Sequence, residues 1–353
     1  MNCNIIDILI ENLTVEEKVA QLFVVTPESL VKRDETVFEC DQELTSILDA
    51  FFIGGILYFG RNLSDPEQVK EFLRKTQDVS YKRYGVPLFQ CVDEEGGDVS
   101  RVANRSAFNV ENIGYPSELA KSVDPHVVFE KGAYVGRYLL DLGFNVDFAP
   151  CADVLTNAKN TVIGNRSYGS DPDQVAKLSV AFAQGLLSSH VIPSFKHFPG
   201  HGDTEGDSHF GYAYTEKNIE KLFKCELIPF ILGIENNIPM IMVGHISLPN
   251  VTGNNEPATL SHQIISELLR KQLGFEGIII TDSLKMKAIS EAYTSDEAAI
   301  KVLEAGADMI LRPIDFYDAY YGVINAVKTG RVTESRINQS LRRIFKTKLL
   351  YIN

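Results

Sequence analysis

Fourteen consecutive residues concentrate the titratable chemistry of this chain: Lys196-His197-Phe198-Pro199-Gly200-His201-Gly202-Asp203-Thr204-Glu205-Gly206-Asp207-Ser208-His209. They include three histidines, two aspartates, one lysine and three glycines, with little apolar surface to bury. Histidine, with a pKa of ~6.5, can give up and recover a proton near neutrality. The glycines allow backbone turns that a side chain would forbid. The stretch follows a short apolar run, Val191–Phe195, that reads as a buried strand. Polar residues placed at the end of such a strand point to a site more than to a scaffold. A further carboxylate, Asp282, directly follows the apolar run Gly277–Thr281. Taken alone, Asp282 could equally cap the next helix.

The stretch resembles the signature of glycoside hydrolase family 3, in the branch of β-N-acetylglucosaminidases that act on peptidoglycan fragments. That signature runs K-H-F-P-G-H-G-D-T and then D-S-H, and every position is matched. The segment Gly274–Met286 resembles the family's nucleophile segment, with Ser283 where a second acid is common. The resemblance implies that Asp282 attacks the anomeric carbon and forms a covalent glycosyl-enzyme. It implies His209 as general acid/base, with Asp207 orienting its ring. Gly206 before them suggests a loop that closes on substrate. Lys196 and His197 resemble the family's pair that holds sugar hydroxyls. Arg166 lies in a segment similar to another substrate-binding stretch. Asp93 lies in Asp93-Glu94-Glu95-Gly96-Gly97, similar to a D-x-E-G-G element, with Arg101 at the usual offset and Asp98 where arginine is common. Asp93 could instead cap a loop, and Arg101 and Arg166 could form structural ion pairs. His245 is as readily structural as substrate-binding, and Asp153 reads as pinning loops.

These residues need a frame that gathers strand ends. Apolar runs recur at Leu22–Val25, Ile53–Phe59, Pro87–Val92, Val146–Ala149, Val191–Phe195, Pro239–Gly244, Gly277–Thr281 and Ala307–Leu311. Between them lie helical patterns opened by Thr14, Asp65-Pro66, Asp124-Pro125 and Asp171-Pro172. The helix opened by Thr14 is expected to run through Leu22 and Phe23. Short, wholly apolar strands are covered on both faces, as in a parallel sheet. Eight of them predict a single-domain α/β (β/α)8 barrel of the TIM type over residues 1–353, with the active site at the C-terminal strand ends. A doubly wound sheet is the structural alternative. The closing helix carries Ile337, Leu341, Ile344, Phe345 and Leu349 at helical spacing. Its basic residues, Arg336, Arg342, Arg343, Lys346 and Lys348, with nearby Arg331, read as a solvated face.

The chain has 353 residues, 44% of them hydrophobic, and a net charge of −13. Nucleic acid needs a basic face, so that partner is not expected. Five scattered cysteines without C-x-x-C read as reduced thiols, and no membrane span or signal peptide is legible; a cytoplasmic monomer is the expectation. The expected partner is a small GlcNAc-containing carbohydrate, with no metal and no organic cofactor. Four other readings compete. His197, His201, Asp203 and His209 could form a metal site, although the spacings of familiar sites are absent. The chain could be a catalytically dead sugar-binding protein, a β-glucosidase or β-xylosidase, or a β-GlcNAc phosphorylase.

Overall fold

The computed structural model describes residues 2–206 and 213–352. Eight parallel strands form its centre: β1 Phe23–Val25, β2 Gly55–Leu57, β3 Phe89–Val92, β4 Val146–Asp147, β5 Ile192–Phe198, β6 Met240–Val243, β7 Ile278–Thr281 and β8 Ile310–Leu311. They pair in the order β7-β6-β5-β4-β3-β2-β1-β8. A parallel bridge from Ile280 to Met309 brings β7 against the residues leading into β8 and completes the ring. This is the expected (β/α)8 barrel. The strands are buried along their length, because helices cover the outside while side chains fill the inside.

Local chemistry sets the helices where the sequence marks them. Thr14 and Glu17 form a reciprocal capping box, with the Glu17 amide donating to Thr14 Oγ1 at 3.1 Å. Asp65, Asp124 and Asp171 cap the helices Pro66–Tyr84, Pro125–Leu142 and Pro172–Ser188. Gly143 ends the second of these in the left-handed region, with φ of 100°. Gly54 is required by close approach, since a Cβ there would lie 2.2 Å from the Gln21 carbonyl oxygen.

Three expectations are corrected. The first barrel helix ends at Ala20, because pairing of Phe23 with Ile310 draws the following residues into β1. Strand β5 runs on to Phe198, so Lys196 and His197 lie within it. A register irregularity opposite Ile241–Val243 accommodates the extension, and the Gly244 amide still donates to the Phe198 carbonyl at 2.9 Å. The basic face of the closing helix Glu334–Tyr351 is only partly solvated. Arg336 and Arg343 turn inward to the buried Asp308, which also takes Arg270 at 2.6 Å. Lys348 is wholly buried at the N-terminal end of the barrel, with its Nζ 3.0 Å from Gln21 Oε1 and 4.9 Å above the Phe89 ring.

Lys348 has no carboxylate partner among the described residues, and burial pushes its pKa down to about 7. Its unfolded value is ~10.4, so the unfolded chain binds more protons between those two values. Stability from this group is therefore gained as pH rises from about 7 towards ~10. Lys348→Met is expected to flatten that rise and to stabilise the fold below pH 7 by on the order of 1–3 kcal/mol. Urea unfolding of both proteins at pH 6.5 and 9.5 checks this. An unchanged pH slope in Lys348→Met would refute it.

Candidate active site

The C-terminal strand ends surround a cavity of about 310 Å3, lined by Asp93, Arg101, Arg166, Lys196, His197 and Asp282 among others. Cavities of similar volume lie at the opposite end of the barrel and beside Asn157–Val162. Of the three, only this one collects buried carboxylates and cations around open space.

One wall is an ion lattice. Asp93 follows β3, and the chain stays extended through the short strand Glu94–Gly96. Alternation puts Asp93 and Glu95 on one face and Glu94 on the other. Glu94 turns away and accepts the Val102 and Ala103 amides and the Tyr138 hydroxyl. Glu95 takes a bidentate Arg166, with both contacts at 2.8 Å, and Lys196 Nζ at 2.6 Å. Lys196 also reaches Asp93 at 3.0 Å, and Arg101 stands 3.6 Å from the other Asp93 oxygen. Burial alone would raise the Glu95 carboxyl, but Lys196 and then Arg166 outweigh it and hold it at about 2. Burial likewise opposes the Lys196 charge, which Asp93 and Glu95 more than restore.

A second group lies beside the lattice. The Asp153 carboxylate lies 2.7 Å from His197 Nδ1 and accepts the His201 amide at 2.6 Å. Burial would raise Asp153, and its contacts with His197 and the His201 amide hold it below the usual carboxylate range. With Nδ1 held by Asp153, His197 Nε2 faces Arg166 at 3.5 Å. Asp153 therefore orients His197 as well as pinning a loop.

Asp282 forms the opposite wall. It leaves β7 with its amide bonded to the Val243 carbonyl at 2.9 Å, and one carboxylate oxygen accepts the Ser283 amide at 2.7 Å. Burial favours its neutral form, but His245 and then His197 outweigh that and lower its pKa. Asp282 is thus an ionised carboxylate at the cavity surface. His245 bonds Thr259 Oγ1 at 2.8 Å and the Ser283 carbonyl at 2.9 Å, so both ring nitrogens are engaged within the protein.

The cavity thus gathers Asp93, Arg101, Arg166, Lys196, His197 and Asp282 from distant parts of the chain. Asp207 and His209 lie outside the described residues. The strands flanking them, Glu205–Gly206 and Ala213–Tyr214, pair antiparallel. Asp98 accepts the Tyr115 hydroxyl at 2.8 Å and is not among the cavity-lining residues. Ser283 lines the cavity with a hydroxyl that has no partner among the described residues. Glu95 is a site residue that the sequence reading does not single out, although its two-residue spacing from Asp93 on extended backbone could have found it.

Among the described residues, one group offers converging metal-ligand atoms: Cys151, Asp153 and His197, within 4.8 Å of one another. Their contacts are already hydrogen bonds, with Cys151 Sγ 3.2 Å from the same Asp153 oxygen that meets His197. The alternative metal site of His197, His201, Asp203 and His209 is not assembled by the members that are described, and His209 lies outside the described residues. Asp203 is bound to Thr156, Thr215 and Lys217, and His201 to Thr204.

The chain is similar to known proteins in sequence and fold. The family profile described as the glycosyl hydrolase family 3 N terminal domain matches residues 14–347. The chain is 33% identical over 328 residues to beta-hexosaminidase A of Pseudoalteromonas piscicida, covering 87% of this chain and 55% of that protein. It is 40% identical over 234 residues to beta-hexosaminidase LpqI of Mycobacterium tuberculosis, covering 64% and 58%. A solved glycoside hydrolase family 3 beta-N-acetylglucosaminidase from Paenibacillus sp. str. FPU-7 superposes with a TM-score of 0.89 at 35% identity, over 96% of this chain and 62% of that one. The chain spans little more than half the length of these relatives. Because the match runs from the capping box before β1 into the last turns of the closing helix, the chain belongs to glycosyl hydrolase family 3.

Proposed function

We propose that this chain is a retaining β-N-acetylglucosaminidase acting on terminal, non-reducing β-linked N-acetylglucosamine. The observation that carries the reading is the partly buried, ionised Asp282, facing a wall of fixed carboxylates and cations across one cavity. The wall suits sugar hydroxyls, because it offers donors and acceptors already held in place. The names of the relatives support the choice of sugar.

In this mechanism an Asp282 oxygen attacks the anomeric carbon as the glycosidic bond breaks. The leaving oxygen takes its proton from His209, whose assignment with Asp207 rests on the sequence signature. Water then gives a proton back to His209 and displaces Asp282, so two inversions retain configuration. Asp93, Arg101, Arg166, Lys196 and His197 hold the ring hydroxyls and orient the anomeric carbon towards Asp282. The substrate class we favour is a muropeptide with N-acetylglucosamine on N-acetylmuramic acid, turned over in the cytoplasm during cell-wall recycling.

Hydrolysis of an aryl β-N-acetylglucosaminide and the matching aryl β-glucoside tests the reading. Release from the acetamido sugar alone is expected, and Asp282→Asn is expected to lower kcat by at least ~10³-fold. Equal release from the glucoside would overturn the sugar assignment, and full activity in Asp282→Asn would overturn the nucleophile.

The lattice predicts a pH effect as well. The Glu95 pKa of about 2 lies below an unfolded value of ~4.3, so its stabilisation is complete above ~4.3 and is lost as pH falls towards 2. Glu95→Gln leaves Lys196 and Arg166 short of charge and is expected to cost on the order of 3 kcal/mol at pH 7. The variant is also expected to show a smaller stability difference between pH 7 and pH 3. Parallel unfolding curves at the two pH values measure this, and an undiminished pH difference would contradict the account.

A further inference from the structure

His209, the proton donor assigned from the sequence, falls between two short strands, Glu205–Gly206 and Ala213–Tyr214. Glu205 pairs with Tyr214 and Gly206 with Ala213, so the chain departs and returns at neighbouring points of one antiparallel ribbon. Two residues per strand make a ladder too short to hold itself. Parallel pairing of Ala213–Tyr214 with Ile246–Ser247, just beyond β6, widens it to three strands. The rest of the hold comes from side chains at the base of the ribbon.

Asp203 precedes the first strand, and Thr215 and Lys217 follow the second. Asp203 accepts the Thr215 hydroxyl at 2.6 Å and stands 3.0 Å from Lys217 Nζ, so one carboxylate ties the two ends together. Lys217 also pairs with Glu226, which lies ahead of the helix Ile228–Glu235 leading to β6. Thr156, from the loop after β4, donates to Asp203 at 2.9 Å and accepts from Lys217 at 3.2 Å. Separate parts of the barrel thus converge on one ammonium.

Glu226 is the costly member of this knot. It is 1% exposed, and one of its oxygens has no partner among the described residues. It packs against Gly200 of the signature stretch, where a Cβ would lie 2.6 Å from Glu226 Cβ. A buried carboxylate is tolerable only when paired, and among the described residues Lys217 is the cation that meets it. Burial opposes the Lys217 charge, and Glu226 and then Asp203 more than restore it. Asp203, Lys217 and Glu226 are not among the residues lining the sugar cavity. The knot therefore does not bind the sugar; what it fixes is the ribbon.

We propose that Lys217, gripped between Asp203 and Glu226, is a positioning residue that fixes the base of the ribbon flanking Asp207 and His209 and so aims the proton donor at the leaving oxygen. This rests on the proposed acid role of His209. Without the ammonium, two carboxylates that share it would face one another and the ribbon base would part. A small displacement of a proton donor is enough to lose much of its contribution.

The test compares kcat/KM for phenyl and 2,4-dinitrophenyl β-N-acetylglucosaminide, since this parameter reports the step in which the leaving group departs. Phenolate needs a proton to leave, and dinitrophenolate does not. Lys217→Met is expected to lower kcat/KM for the phenyl glycoside by about 30-fold and for the dinitrophenyl glycoside by less than about threefold. Lys217→Arg is expected to recover part of the loss, and Glu226→Gln to show the same selectivity more weakly. A merely structural role would lower both substrates together. Equal losses on the two substrates, or no loss on either, in Lys217→Met would overturn the proposal; if that variant does not fold, the same outcomes in Glu226→Gln decide it. His209→Ala separates this inference from the reading beneath it. Selective loss in His209→Ala without selective loss in the Lys217 and Glu226 variants would overturn the positioning role alone. Absence of selective loss in His209→Ala would remove the acid assignment and this inference with it.

Discussion

A single buried carboxylate, Glu95, holds the site together. It sits between Arg166 and Lys196 with almost no contact with solvent. A charge in that position is tolerable only when it is fully paired. The pairing constrains three consecutive strand–helix units at once, because Glu95 follows β3, Arg166 comes from the long loop after β4, and Lys196 is in β5. Asp93 and Arg101 extend the network to the rim. Loss of Glu95 would leave two cations facing one another and release the loop that carries Arg166. The same residues that restrain one another also line the cavity, so a wall built for internal balance is in place for the proposed hold on a polyhydroxylated ring.

Across the cavity the electrostatic logic is different. Among the described residues, Asp282 has no arginine or lysine in direct contact; its ionised form is favoured by the nearby His245 and His197 and by one backbone amide. A carboxylate locked in a tight ion pair would be a poor nucleophile, since it would have to break that pair to react. Partial, distant compensation keeps Asp282 charged without a tight ion pair, which is what the proposed nucleophilic role requires. His245 is tied at both nitrogens, to Thr259 and the Ser283 carbonyl.

Much of this architecture is legible in the amino-acid sequence. Caps at Thr14, Asp65, Asp124 and Asp171 mark helix starts because an N-cap side chain satisfies its own local amides. The order of apolar runs implies a barrel, and the strand ends name Asp93, Lys196, His197 and Asp282. What is not legible depends on contacts distant in sequence. Lys348 and Arg336 sit on a helix that looks amphipathic, yet their burial is set by Gln21 and Asp308, 327 and 28 residues away. The extension of β5 through His197 follows from pairing with β6, which a polar pair at the end of an apolar run conceals. Arg312 looks like a mere strand end until the fold places Arg61 and Phe59 beside it. Glu95 is within reach of simple alternation and is hidden by its identical neighbour Glu94.

The central claim is a covalent bond between sugar and Asp282. Mass spectrometry of the protein after brief incubation with a slowly hydrolysed 5-fluoro-N-acetylglucosaminyl fluoride, followed by proteolysis, tests it directly. The account predicts one added sugar mass, carried on the peptide that contains Asp282 and located on that side chain by fragmentation. Turnover of the probe with the label on another residue, or with no labelled peptide under conditions that accumulate the intermediate, would contradict it.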